Sequence, residues 1–362
     1  MAIELSNLTF TEQDDIVPES GVEQILNTGI ANTLAGNDRI TGTSDYGIGI
    51  SNYLGTLNTG NGKDIITGTS RTLGILNSSG TIDTGDDNDI ITGIGTDSGG
   101  ISNSGTFNTG EGYDIITGTT NSGSGITNSS NSSIDTGDDD DIIIATGNYY
   151  ILYNTGSIDT GNGNDSIIAE HNGNLPLYSS VNDGTIDTGS GNDSIILQGG
   201  LYNSGGLFLG EGNDFFALTP SKFFPNYALT NSDVIDTGDG DDIITSTGVI
   251  YNEGVFSEGV INMGNGKDSL IAEGGFEGSG KVFLGNGKDY LKGFGSCSFN
   301  GGNGKDTLEL TSGSYTIGIS SAGINFTKNS IIMNTSEFEK LIAGGTTYNF
   351  SSLTAGQIII VS

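Results

Sequence analysis

The chain has one cysteine, one histidine and no tryptophan in 362 residues. A lone Cys297 excludes a disulfide within the chain and a thiolate cluster around zinc, and reads as a small buried side chain. A lone His171 argues against a His-based metal site. Bases are scarce as well, 11 against 44 acids, for a formal charge of −33. Phosphate contacts need Lys and Arg, so nucleic acid is not an expected partner. No apolar run approaches the ~20 residues of a membrane span. The opening MAIELSNLTFTEQDDIVPES lacks the basic start and apolar stretch of a cleaved leader, so export would need another route.

What is abundant is glycine, 62 residues, interleaved with regularly placed Ile and Leu. That regularity argues against disorder. It resolves into a repeat: TGNGKDIIT at 59–67 returns as TGDDNDIIT at 84–92, TGEGYDIIT at 109–117 and TGDGDDIIT at 237–245. Aligned on the aspartate, eleven copies carry Asp64, Asp89, Asp114, Asp141, Asp165, Asp193, Asp214, Asp242, Asp268, Asp289 and Asp306, with a degenerate first copy, LAGNDRIT, at Asp38. The period is near 25 and tightens to 17 at the last step.

Four residues before every full-copy aspartate stands glycine: Gly60, Gly85, Gly110, Gly137, Gly161, Gly189, Gly210, Gly238, Gly264, Gly285 and Gly302. Two before it stands a second glycine in most copies: Gly62, Gly112, Gly163, Gly191, Gly212, Gly240, Gly266, Gly287 and Gly304. Asp87 and Asp139 take that place in two copies, and Asp also tolerates left-handed backbone. Apolar columns run two residues after the aspartate (Ile66, Ile91, Ile116) and seven before it (Leu57, Ile82, Phe107). Flanking positions alternate outward, the period-2 signature of short strands with one buried face.

Each unit therefore reads as a strand entering a Gly-rich loop, a strand leaving it, and a return segment of variable length holding a third short strand. One unit cannot enclose a core, but stacked units can. The expected fold is all-β: a right-handed parallel β-helix or β-solenoid of about twelve coils, β-roll-like in its loops. Residues 1–33 form a lead-in or N-terminal cap, 34–309 the repeat solenoid, and 310–362 a C-terminal β cap.

Two glycines can turn loop carbonyls toward one point, and the aspartate adds charge. Calcium takes six to eight oxygens at ~2.3–2.6 Å and accepts main-chain carbonyls. Stacked loops could hold such ions between them, drawing ligands from both. The competing reading makes each loop a plain turn capped by Asp; it leaves the −33 charge without a counterpart.

With GGNGKDTLE at 301–309, which fits the nonapeptide G-G-x-G-x-D-x-(apolar)-x throughout, the repeat resembles the RTX, or haemolysin-type, calcium-binding family over about 38–309. TGNGKDIIT, TGNGNDSII, LGEGNDFFA and LGNGKDYLK depart only at the first glycine. The resemblance implies several bound calcium ions, calcium-dependent folding outside the cell, and the eleven aspartates with the glycines of their loops as ligands. It also implies secretion by a type I route through an uncleaved C-terminal signal. The chain departs from the two-nonapeptide, 18-residue β-roll coil, which predicts one ion row instead of two, with a local β-roll at most near 285–309.

Asn103, Asn154, Asn182, Asn203 and Asn231, each eleven residues before its Asp, read as a turn ladder. The Thr column before the first glycine (Thr59, Thr84, Thr109, Thr136, Thr160, Thr188, Thr237) resembles ice-binding ladders, but alternation turns it inward. Aromatics at 213–230 read either as a sugar-facing loop or as a bulge over the core. Lys63, Lys267, Lys288 and Lys305 share one solvated loop position. The function expected is a secreted, non-enzymatic calcium-binding rod, structural or adhesive at a cell surface or matrix, with polysaccharide as the candidate macromolecular partner. The alternative is a β-helix lyase or epimerase, or a carbohydrate-binding module. An enzyme of that kind needs a base beside a cation, and only Arg39, Arg71 and His171 offer themselves.

Overall fold

A computed structural model describes residues 2–18, 22–172, 180–220, 227–246 and 254–362. The chain is a parallel β-solenoid with three long stacks of strands. One unit shows the course. Thr81–Asp83 runs into the loop, Ile90–Gly95 leaves it, and Gly99–Asn103 returns. We call the three stacks the incoming, outgoing and return sheets; they have 16, 15 and 12 strands.

Register explains why the repeat tolerates uneven spacing. Ile66 pairs with Ile91 and Ile91 with Ile116, while Leu57, Ile82 and Phe107 pair in the incoming sheet. Ile50, Ile75 and Ile101 add the third column. All are at most 1 % exposed and belong to one continuous core. A one-residue slip would turn a whole column outward, so among the described residues length varies only in the two turns that flank the return strand, 121–123 against 148–151 before it and 104–105 against 129–132 after it. The coil also widens along its axis. Inward Gly68, Gly93 and Gly118 let the outgoing sheet touch the carbonyls of Gly74, Gly100 and Gly125 opposite. Ala145, Ala169, Leu197 and Leu218 fill that place further on.

Residues 1–33, expected as a lead-in, already contribute strands to all three stacks: Ala2–Glu4 pairs with Gln24–Asn27, Ile16–Val17 with Arg39–Ser44, and Ile30–Asn32 with Thr56–Asn58. At the other end, Gly313–Ser320, Gly323–Lys328, Ile331–Ser336 and Ile358–Val361 pair antiparallel. Their inner residues Tyr315, Phe326 and Met333 are fully buried and close the core. The tightened coils keep the same loop and lose width on the return side, where Phe276 bridges Gly295 alone. They carry one Gly-rich loop per turn, with a short added stack of Asn265–Gly266, Asn286–Gly287 and Asn303–Gly304.

Candidate metal centre

The loops between incoming and outgoing sheets stack along one edge of the rod, and their backbone explains their composition. Gly191 has φ +141°, and a Cβ there would lie 1.5 Å from the carbonyl oxygen of Gly163 in the coil below. At Gly191 the loops therefore sit carbonyl over Cα, closer than a side chain permits. Asp87 and Asp139 hold φ of 84° and 86°, the left-handed conformation that lets Asp stand in for the second glycine.

Every aspartate of the repeat points inward and is at most 2 % exposed. Their carboxylates form one ladder. The Asp64 N–H donates to Asp89 Oδ1 at 2.7 Å, Asp89 N–H to Asp114 Oδ1 at 2.7 Å, and Asp141 N–H to Asp165 Oδ1 at 2.7 Å. The pattern continues through Asp193, Asp214, Asp242, Asp268 and Asp289 to Asp306, where Asp289 N–H donates at 2.9 Å. Asp38 is a full rung despite its degenerate loop: it accepts from Asp15 N–H and donates to Asp64 Oδ1, both at 2.7 Å. Leu34, at its first-glycine position, adopts φ 78° in glycine's place. Glu339, from the cap, closes the far end by accepting from Asp306 N–H at 2.7 Å. It lies 33 residues downstream of that donor and outside any repeat, so no spacing pointed to it.

Each of the twelve carboxylates uses only one oxygen in this ladder. The Oδ2 atoms of Asp38, Asp64, Asp89, Asp114, Asp141, Asp165, Asp193, Asp214, Asp242, Asp268, Asp289 and Asp306 are buried without a hydrogen-bond partner. Buried polar atoms are rarely left so, and a buried carboxylate with a bare oxygen calls for a cation or a proton. Desolvation, reinforced by neighbouring rungs, pushes Asp89, Asp141 and Asp268 up to about 8. Asp64, Asp114, Asp165 and Asp214 rise to about 7, and Asp193 and Asp289 to about 6. The backbone donors pull the other way and are outweighed; the Thr hydroxyls beside the carboxylates also lower them by proximity, but Thr59 and Thr109 give their protons to carbonyls of the next coil and not to Oδ2.

Among the described residues no three Asp, Glu, His or Cys side chains converge on a point. A cation at this edge would therefore combine one carboxylate with main-chain oxygens of its own and the adjoining loop. The donor set, all oxygen and part carbonyl, suits calcium and does not suit zinc or copper.

The other columns fall into place around the ladder. Thr59, Thr109, Thr160, Thr188 and Thr237 point inward as alternation requires and donate to carbonyls of the next coil. The Asn column is a turn ladder: Asn103 Nδ2 donates to Asn128 Oδ1 at 2.9 Å, and Asn154 Nδ2 to Asn182 Oδ1 at 2.8 Å. It also contains Asn27, Asn52, Asn77 and Asn128. Lys63, Lys267, Lys288 and Lys305 are exposed. Phe215–Pro220 is an ordinary outgoing strand with Phe216 buried, and the aromatics at 221–226 lie outside the described residues. Cys297 is buried, and desolvation raises its thiol to about 11.

Arg71 is bound to Asp97 at 3.0 Å on the surface. Arg39 begins an outgoing strand five strand steps from the one that ends in His171, about 24 Å away at sheet spacing. The structure sets Arg39 and Arg71 several strands away from His171.

Fold and edge together define a parallel β-solenoid with a continuous buried carboxylate row. Against known proteins, no family description matches the chain and no curated protein does. Among solved structures it is similar to a hyperactive, Ca2+-dependent, β-helical antifreeze protein from an Antarctic bacterium, at 18 % identity over 94 % of each chain with a TM-score of 0.36. That overlap is too low to transfer a function. No helix among the described residues is long and apolar enough to cross a membrane.

Proposed function

We propose that the protein is a calcium-binding structural rod, non-enzymatic, whose coil is held together by ions lodged along the Gly-x-Gly-x-Asp edge. The observation that supports this reading is the run of twelve buried carboxylates, each with one unpartnered oxygen. The aspartates of the ladder and carbonyls of the flanking loop glycines would hold the ions, which supply the positive charge the buried row lacks. A site with a single carboxylate belongs with weak calcium modules, whose dissociation constants of ~10⁻⁴–10⁻³ M suit extracellular calcium. A secreted or cell-surface setting follows from that reasoning.

Circular dichroism and titration calorimetry test the reading. Strand content should rise as calcium is added to chelator-treated protein, with several ions taken up per chain, because a ligand bound only by the folded state stabilises it. Identical spectra in calcium and EDTA, with no binding heat, would sink it. Incubation with alginate or pectate in calcium should generate no ultraviolet absorbance from new double bonds. Absorbance that is lost on Arg39→Ala or His171→Ala would establish the enzymatic alternative instead.

A further inference from the structure

The outgoing sheet carries a surface unlike the rest of the molecule. In the strands Ile65–Ser70, Ile90–Gly95, Ile115–Thr120 and Ile142–Gly147, every outward side chain is Ile or Thr. Register aligns them in three ranks: Ile65, Ile90, Ile115 and Ile142; Thr67, Thr92, Thr117 and Ile144; Thr69, Ile94, Thr119 and Thr146. Among the described strands between Arg39 and Lys292, Glu170 is the only charge at an outward position of this sheet. The incoming sheet, by contrast, turns Asp83, Asp135, Asp159, Asp187 and Asp236 outward.

We propose that this face docks a second copy of the chain. Three observations favour that occupant. The face carries one carboxylate, Glu170, on a chain of charge −33, so it is where two copies can meet with almost no opposing charge. It is regular in both directions, and two such faces pack on each other as sheets in a sandwich do, ~10 Å apart. Its size suffices. Nine strands at ~4.8 Å by about five residues at ~3.3 Å give roughly 700–800 Å² per copy, against ~800 Å² for a standard stable interface. The acidic loops fix the symmetry of the pair. A two-fold axis parallel to the rods places the two loop rows on opposite edges of the interface, whereas the transverse axis would set them face to face. Ions on the ladder would remove most of the remaining repulsion, and to that extent pairing rests on the calcium reading.

Sedimentation equilibrium of the full chain in millimolar calcium tests this, with calorimetry and circular dichroism on the same samples. The expected mass is twice the 37.1 kDa of one chain. Thr92→Lys combined with Thr117→Lys should weaken pairing at least tenfold while calcium uptake and strand content stay unchanged. Should the lysines disturb folding, Thr92→Cys carrying a spin label decides. Parallel rods bring the two labels across the interface from each other, and strong dipolar broadening is expected. A calcium-loaded monomer overturns the pairing and leaves the calcium reading intact. A monomer that binds crystalline polysaccharide or ice overturns it too and assigns the face to that solid. A lysine variant that pairs as tightly as the parent, or labels without broadening, also overturns it. A pair that forms with no calcium uptake keeps this proposal and removes the calcium reading.

Discussion

A single atom carries the chemistry at the residue scale. Asp165 Oδ1 accepts from Asp141 N–H at 2.7 Å, and its Oδ2 is buried and bare. Replacing Asp165 by Asn keeps the size and removes the charge. In millimolar calcium, Asp165→Asn should lower calorimetric stoichiometry locally, by one or two ions, and leave the chain folded because the other rungs persist. In chelator the same change should raise stability, since a buried charge is no longer required there. A variant unfolded in calcium, or one with unaltered ion uptake, would show that Asp165 is not a ligand. The glycines offer the complementary test. Gly191→Ala must place its Cβ 1.5 Å from Gly163 O at a φ of +141°, so the loops have to separate. We expect a loss of more than about 2 kcal/mol in urea unfolding, with or without calcium.

At the scale of the element, the coil is pinned at a second edge by the asparagines. Asn128 is fully buried; it accepts from Asn103 Nδ2 and from the Ser132 hydroxyl, and donates to Asn154 Oδ1 and Ser157 O. Asn128→Ala removes four hydrogen bonds, but Asn103 Nδ2 keeps Ser133 O, the Ser132 hydroxyl keeps Ser129 O and Asn154 Oδ1 keeps Gly156 N–H; at ~1–3 kcal/mol for a buried group left unpaired the expected loss is about 2 kcal/mol, read from the urea midpoint in calcium. A midpoint unchanged from the parent would mean the ladder is ornamental. The asparagines also show how far the sequence could be read. The apolar columns and the inward Thr column were legible because alternation fixes which side faces in; a third strand was expected in the return segment, but whether the coil has two sides or three was not legible, because that segment varies in length. A fixed offset of eleven residues found five rungs of the Asn ladder. It passed over Asn52 and Asn77, whose return turns hold one more residue, with Leu54 and Ser79 taking left-handed φ of 54° and 52°. The carboxylate-to-amide ladder itself was not legible. Spacing places Asp64 and Asp89 one coil apart, but which oxygen meets which N–H depends on loop rotation. Nor did alternation alone single out the Ile/Thr face, because its outward ranks look ordinary until register lays them side by side.

For the whole molecule, the ladder couples folding to pH in a direction opposite to the usual behaviour of paired carboxylates. Nine of its aspartates have folded pKa values raised by burial to about 6 to 8, above the ~3.9 of an unfolded chain, and burial raises Asp38, Asp242 and Asp306 as well. The folded state therefore binds more protons than the unfolded one between those limits. Without calcium, the stability this contributes is fully present below about 3.9 and is lost as pH rises through 6 to 8. Exposed acids have nearly finished titrating by pH 5, so the interval from 5 to 8 isolates the buried row. His171, whose pKa is lowered by burial, acts with the opposite sign but is one group against twelve. In EDTA the urea midpoint should accordingly be higher at pH 5 than at pH 8. In saturating calcium the order should invert, because protons and the cation compete for the same oxygens and the deprotonated row binds the ion. Two parallel profiles, unaffected by calcium, would mean that no ion reaches the carboxylates. A flat profile in EDTA would mean that water does, and that the bare oxygens are solvated in solution.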